Sequence, residues 1–210
     1  FPTERYLNVV KRGYKDCKLE NKFLMKALIG WFYLIYKFME LILHRVNKIN
    51  DLKKLDKKFG VEIDLRIYGG KIVLNHEPYQ NGDSFDEYLS EYNHGTLVLN
   101  IKETGIEDEV LKKVRKKGLK NFFLLDVELP FFFKSLKKKE KALASRLSFY
   151  EPIELSKKFS GKINWIWVDT IKDFEILNKH KADLAKFKIC LVSPEFWGKP
   201  KLLNKYIEKF

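Results

Sequence analysis

From residue 40 onward the chain alternates between short apolar runs and charged segments with helical spacing. The apolar runs are "ELILH" (40–44), "VEIDLRI" (61–67), "KIVLNH" (71–76), "TLVLNIK" (96–102), "NFFLLDV" (121–127), "ALASRLS" (142–148), "NWIWVD" (164–169) and "FKICLVS" (187–193). Between them, "NDLKKLDKKF", "SFDEYLSEY", "IEDEVLKKVRKKG", "PIELSKKF" and "IKDFEILNKHKADLAK" space their apolar residues as helices do. Strands alternating with helices predict βαβ units and a parallel sheet. Continuous apolar strands predict a sheet buried on both faces. The punctuation agrees: Asp83 and Ser84 precede "FDEYL", Thr104 precedes "GIEDEVLKKV", and Gly118 follows that helix as a stop signal.

In nearly every run the apolar part comes first and a polar group follows. These groups are His44 and Arg45, then Glu62, Asp64 and Arg66, then His76 and Glu77, then Asn100 and Lys102, then Asp126, Arg146, Asp169 and Ser193. In a parallel sheet all strands point one way, so such groups gather at one end. This pattern predicts an α/β fold of the (β/α) TIM-barrel type, with its site at the C-terminal face. An open doubly wound sheet also gathers strand ends, but no Gly-rich phosphate loop follows the first strand. Taken singly, each group has a plainer use. Asp126 and Asp169 suit helix N-caps, and the acids suit pairing with Arg45 or Arg66.

Glu62 and Asp64 stand two apart on one strand and therefore share a face. Like charges so placed repel unless a cation or a hydrogen-bond donor sits between them, and a hard divalent ion such as Ca²⁺ or Mg²⁺ takes carboxylate oxygens. His44 and His76, at strand ends near cationic groups, suit acid–base work on a phosphodiester. Arg45 and Lys102 suit the phosphate oxygens. Asn100, Asp126, Arg146 and Asp169 are secondary candidates at the same end.

Composition narrows the class. The 210 residues are 45% hydrophobic and 15% aromatic, enough for a sizeable core. The net charge of +13 favours anionic partners, but the lysines spread over many helices and match no nucleic-acid motif. Cys17 and Cys190 fit no metal or disulfide spacing, which points to a reducing, cytoplasmic setting. The character of the chain shifts near residue 38, which predicts a basic, aromatic N-terminal extension (1–37) ahead of the barrel (38–210). Within the extension, residues 23–37 predict an apolar helix. It is too short in its uncharged part to span a bilayer and suits packing on the barrel or contact with an anionic membrane surface.

The motifs "LILHRVN", "VEIDLR" and "IVLNHEP" together resemble the glycerophosphodiester phosphodiesterase family and its phosphatidylinositol-specific phospholipase C relatives. The resemblance implies a TIM barrel, a divalent cation on Glu62 and Asp64, and His44 with His76 as the acid–base pair. It implies a small phosphodiester or a lipid headgroup as substrate. The chain departs from the family pattern in three places. Asn100 stands where a third acidic metal ligand is usual, Glu77 follows His76 in place of Asp, and Val46-Asn47 follow the His-Arg pair in place of Gly. The Asn100 departure keeps a second function open, a lapsed barrel that binds a phosphorylated ligand without turnover. The barrel count is one short: if "KIVLNH" belongs to an inserted hairpin, seven barrel strands remain. Either the chain stops before the last strand, or "WFYLIYKF" (31–38) fills the gap.

Overall fold

The computed structural model of the chain describes residues 7–11 and 39–202. Strands β1 (Leu7–Lys11) and β2 (Met39–Leu43) are followed by a one-turn helix α1 (Ile49–Leu52). A hairpin follows, built from β3 (Gly60–Tyr68), β4 (Lys71–Leu74) and the two-residue β5 (Asp83–Ser84). After it, helices and strands alternate: α2 (Phe85–Glu91), β6 (Leu97–Ile101), α3 (Glu107–Lys116), β7 (Phe122–Leu125), α4 (Leu129–Lys137), β8 (Ala144–Leu147), α5 (Ile153–Lys158) and β9 (Trp165–Val168). The one-turn helices α6 (Ile176–Lys179) and α7 (Lys181–Leu184), strand β10 (Lys188–Val192) and a 3₁₀ turn, Pro194–Trp197, complete the described residues.

Parallel ladders run in the order β7–β6–β3–β2–β1–β10–β9–β8. A single parallel bridge between Leu124 and Leu143 joins the two ends of that path, and Leu124 N–H donates to Ala142 O at 2.9 Å. The position between β10 and β2 is taken by Leu7–Lys11. The position that the sequence reading offered to "WFYLIYKF" is therefore held by "LNVVK". Residues 31–38, and the helix expected over 23–37, lie outside the described residues. Among the described residues no helix is long and apolar enough to cross a membrane.

The two-residue period of the strands sorts the core. Val61, Ile63 and Leu65 pack outward with Tyr88, Val110 and Val114 of the helix layer. Ile42, Val98, Phe123, Trp165, Trp167 and Cys190, drawn from five strands, meet in one cluster on the other face. Phe123 and Trp165 stack there with ring centroids 4.4 Å apart. Each fully buried side chain of this size contributes about 1.5–3 kcal/mol relative to exposure. Glu62 and Asp64 fall on this second face, which is why both are fully buried.

Two helical stretches differ from expectation. Residues 171–186 fold as two single turns broken at His180, not one helix. Asp169 and Asp173 accept the backbone N–H groups of Ile171 and Glu175, at 2.8 and 3.1 Å, and hold the preceding residues in turns. Helix α4, Leu129–Lys137, forms where the helical spacing singled out no segment.

The β3–β4 hairpin turns at Gly69 and Gly70, both at positive φ (56° and 74°), a conformation glycine adopts without strain. Its return leg passes so close to Gly82 that a Cβ there would lie 2.1 Å from Leu74 O. Gly82→Ala is therefore expected to destabilise the protein by about 1–3 kcal/mol through overpacking against backbone. Urea denaturation reads this directly, and an unchanged midpoint would speak against the packing of the hairpin.

Candidate functional site

The site is built from the carboxyl ends of β2, β3, β4 and β6. β3 and β6 pair so that Asp64 lies opposite Asn100 and Glu62 opposite Val98. Three buried polar side chains thus share one face: Glu62 and Asp64 at 0% and Asn100 at 5% exposure. Asn100 Nδ2 donates to Glu62 Oε1 at 2.8 Å, and the backbone N–H of Arg45 donates to Glu62 Oε2 at 2.8 Å. Arg45 reaches that position from a turn with φ of 56°. Asp64 is held by Asn47, whose Nδ2 donates to Oδ2 at 2.8 Å while Asn47 Oδ1 accepts the Asp64 N–H at 2.9 Å.

Cations surround this acidic pair. Lys102 Nζ lies 3.6 Å from Asp64 Oδ1, and Arg45 Nε lies 4.0 Å from Asp64 Oδ2. His44 Nε2 stands 3.7 Å from Glu62 Oε2, with its ring edge-on to Phe196 at 5.1 Å. His76 comes in from the far leg of the hairpin. Its Nε2 meets an Arg45 terminal nitrogen at 2.7 Å and its Nδ1 meets Glu77 Oε1 at 2.6 Å. A guanidinium can only donate, so Nε2 is the accepting nitrogen and Nδ1 carries the proton. Arg66 turns away from the acidic pair and donates to the carbonyls of His76 and Lys102, both at 3.0 Å, which fastens the hairpin to β6.

The secondary candidates form a chain along the same end. Lys102 Nζ also lies 3.5 Å from Asp126 Oδ2, and Arg146 Nε donates to Asp126 Oδ1 at 2.6 Å. Asp126, at φ 58°, is not the cap of α4, which Glu128 begins. Asp169 does cap a local turn through Ile171 N–H. Burial lifts the Asp169 carboxyl above the usual range, while the nearby Arg146 charge works against this.

Burial also shapes the protonation of the main cluster. It is the largest cause depressing the His44 imidazole to about 4, and Arg45 adds to it. Burial and the neighbouring Asp64 charge lift the Glu62 carboxyl to about 7. Glu77 is held low by its hydrogen bond to His76.

Asn47 was missed by the motif reading, where it marks only a departure from glycine. Its grip on Asp64 depends on the turn after β2 folding back against β3, which no local pattern reveals. Among the described residues no three His, Cys, Asp or Glu side chains form a group able to hold a metal ion. The third position is an amide. Even so, Asp64 Oδ1 and Asn100 Oδ1 are buried and accept no hydrogen bond. Carboxylate and amide oxygens are the donor type that a hard divalent cation takes.

The fold has a known counterpart. A crystal structure from Agrobacterium tumefaciens str. C58, provisionally named a glycerophosphoryl diester phosphodiesterase, superposes with a TM-score of 0.53. The match covers 81% of this chain and 97% of that one. At 12% identity the likeness is one of fold. It accords with a TIM-like arrangement of parallel strands and covering helices. No protein-family model and no curated protein matches the chain.

The raised Glu62 pKa carries a stability consequence. The folded, metal-free chain keeps a proton on Glu62 that the unfolded chain loses above about pH 4.5. Stability from this group is therefore complete below 4.5 and declines as pH rises towards about 7. Glu62→Gln removes the decline. Thermal melts without metal should show the variant gaining on wild type between these pH values and levelling off above them. Parallel curves would contradict the assignment.

Proposed function

We propose that the parallel strands close into a (β/α)₈ barrel and that the chain is a divalent-cation-dependent phosphodiester hydrolase of the glycerophosphodiester phosphodiesterase type. The observation that carries this is the shared guanidinium. Arg45 touches His76 at 2.7 Å and lies 4.0 Å from Asp64, while His44 stands 3.7 Å from Glu62. Two histidines thus flank one buried acidic pair, with cations between them.

A phosphodiester in this position would engage Arg45 and Lys102. Drawing Arg45 onto phosphate would release His76 Nε2. His44, neutral above about pH 4, would take the proton of the attacking hydroxyl, either a neighbouring hydroxyl of the substrate or water. Freed of Arg45, His76 Nε2 would take up a proton from solvent and pass it to the leaving oxygen, while Nδ1 stays hydrogen-bonded to Glu77. Glu62, Asp64 and Asn100 would hold the divalent cation, which when bound supplies Lewis-acid stabilisation of charge on the phosphoryl oxygens.

His44→Ala and His76→Ala should each lower turnover of a glycerophosphodiester by about 10²–10⁴, the usual weight of one positioned proton-transfer group. Substrate affinity should change far less, because Arg45 and Lys102 remain. Equal activity in wild type and both variants would end the acid–base assignment.

Asn100 favours a second reading, a phosphate-binding barrel without turnover. Here the test is Asn100→Glu, followed by calorimetry with Ca²⁺ or Mg²⁺. A site that has merely lost one ligand should bind the cation about tenfold tighter or better when the carboxylate returns. Weaker binding, together with no wild-type turnover, would favour the second reading.

A further inference from the structure

Seven large hydrophobic side chains among the described residues are exposed. Tyr68 ends β3 where it overshoots the sheet, and Tyr79 follows His76 by three residues. Leu129 and Phe133 lie on α4, and Leu155 lies in the first turn of α5. Phe149 and Tyr150 occupy the turn after β8 and are 58% and 64% exposed. All of these stand on segments that leave the carboxyl ends of strands, as the candidate site does. Single exposed apolar groups need no explanation, but two adjacent exposed rings beside a lysine do.

The centre of the set is a rigid platform. The Phe149 and Tyr150 rings meet edge-to-face at 5.2 Å. Lys172, from the turn after β9, places its ammonium 4.9 Å from the Tyr150 ring and 5.9 Å from the Phe149 ring, and it bonds the Tyr150 hydroxyl. The turn is pinned from below, because Ser148 Oγ donates to Glu151 at 2.8 Å and Glu151 pairs with Arg146 at 4.0 Å. Through Asp126 this links to Lys102 and Asp64. The platform is thus tied to the candidate site by a run of ion pairs.

We propose that this face docks on an anionic phospholipid surface, with Phe149, Tyr150 and Lys172 as the central anchor. Aromatic rings with a polar tip beside a lysine match the boundary between headgroups and acyl chains. The net charge of +13 complements an anionic surface. A protein partner would need one continuous face of about 800 Å², whereas these side chains stand on separate segments that a lipid boundary can accept individually. The proposal deepens the hydrolase reading by placing a lipid phosphodiester within reach of His44 and His76, and to that extent rests on it.

The test is sedimentation of the full chain with vesicles of phosphatidylcholine alone or mixed with phosphatidylglycerol. Wild type should partition onto the mixed vesicles and be released by salt. The Phe149→Ser/Tyr150→Ser double variant should bind about tenfold less or weaker, in line with the apolar area lost. Its thermal melt and its hydrolysis of a water-soluble glycerophosphodiester should stay as in wild type. Lys172→Glu should lose the preference for anionic vesicles. Wild type that stays in the supernatant, or a double variant that binds as tightly, overturns the proposal. If vesicle binding follows expectation while wild type hydrolyses no phosphodiester, the docking face stands and the hydrolase reading fails.

Discussion

Two carboxylates buried side by side on one strand set the terms for the rest of this molecule. Glu62 and Asp64 share a face at 0% exposure, where an unpaired charge costs several kcal/mol. Every nearby element supplies something against that cost. The turn after β2 brings the Arg45 N–H and the Asn47 amide, and β6 brings Asn100 and, just past its end, Lys102. Even with these partners Glu62 is lifted to about 7, and two oxygens, Asp64 Oδ1 and Asn100 Oδ1, accept no hydrogen bond. A scaffold that needed only stability would replace such a pair with apolar residues of similar volume. Buried acids kept beside acceptor oxygens that lack a donor mark a candidate functional site.

The same cluster explains the hairpin. β4 adds Ile72 and Leu74 to the core, and it carries the chain back so that His76 meets Arg45. Arg66 fastens that return leg to the end of β6, and Gly82 allows it to pass close to Leu74. A glycine turn, a guanidinium strut and a close backbone approach therefore act together to position one imidazole.

Much of this was legible in the sequence because it is local. The alternation of Val61, Glu62, Ile63, Asp64 and Leu65 assigns acids to one face and core to the other at sight. Gly69-Gly70 marks the hairpin, and the gathering of His44, Glu62, Asp64 and Lys102 follows from parallel strands alone. What stayed hidden depends on contacts distant in sequence. Leu7–Lys11 is too short and too polar in its surroundings to announce a strand, and it takes its place by pairing with β2 and β10. Asn47 acquires its role only when β3 lies beside it. The helix expected over 171–186 gives way to turns because Asp169 and Asp173 bond the backbone first.

The central claim is that burial next to Asp64 holds Glu62 as a reluctant acid, which the proposed function makes a ligand of the cation. Carboxyl-carbon NMR of the full chain, labelled at glutamate and titrated with and without Mg²⁺ or Ca²⁺, tests it most directly. The account predicts that Glu62 titrates near 7 without metal. On adding the cation, the transition should move well below the ordinary carboxylate range. An ordinary titration that the cation leaves unmoved would contradict the account.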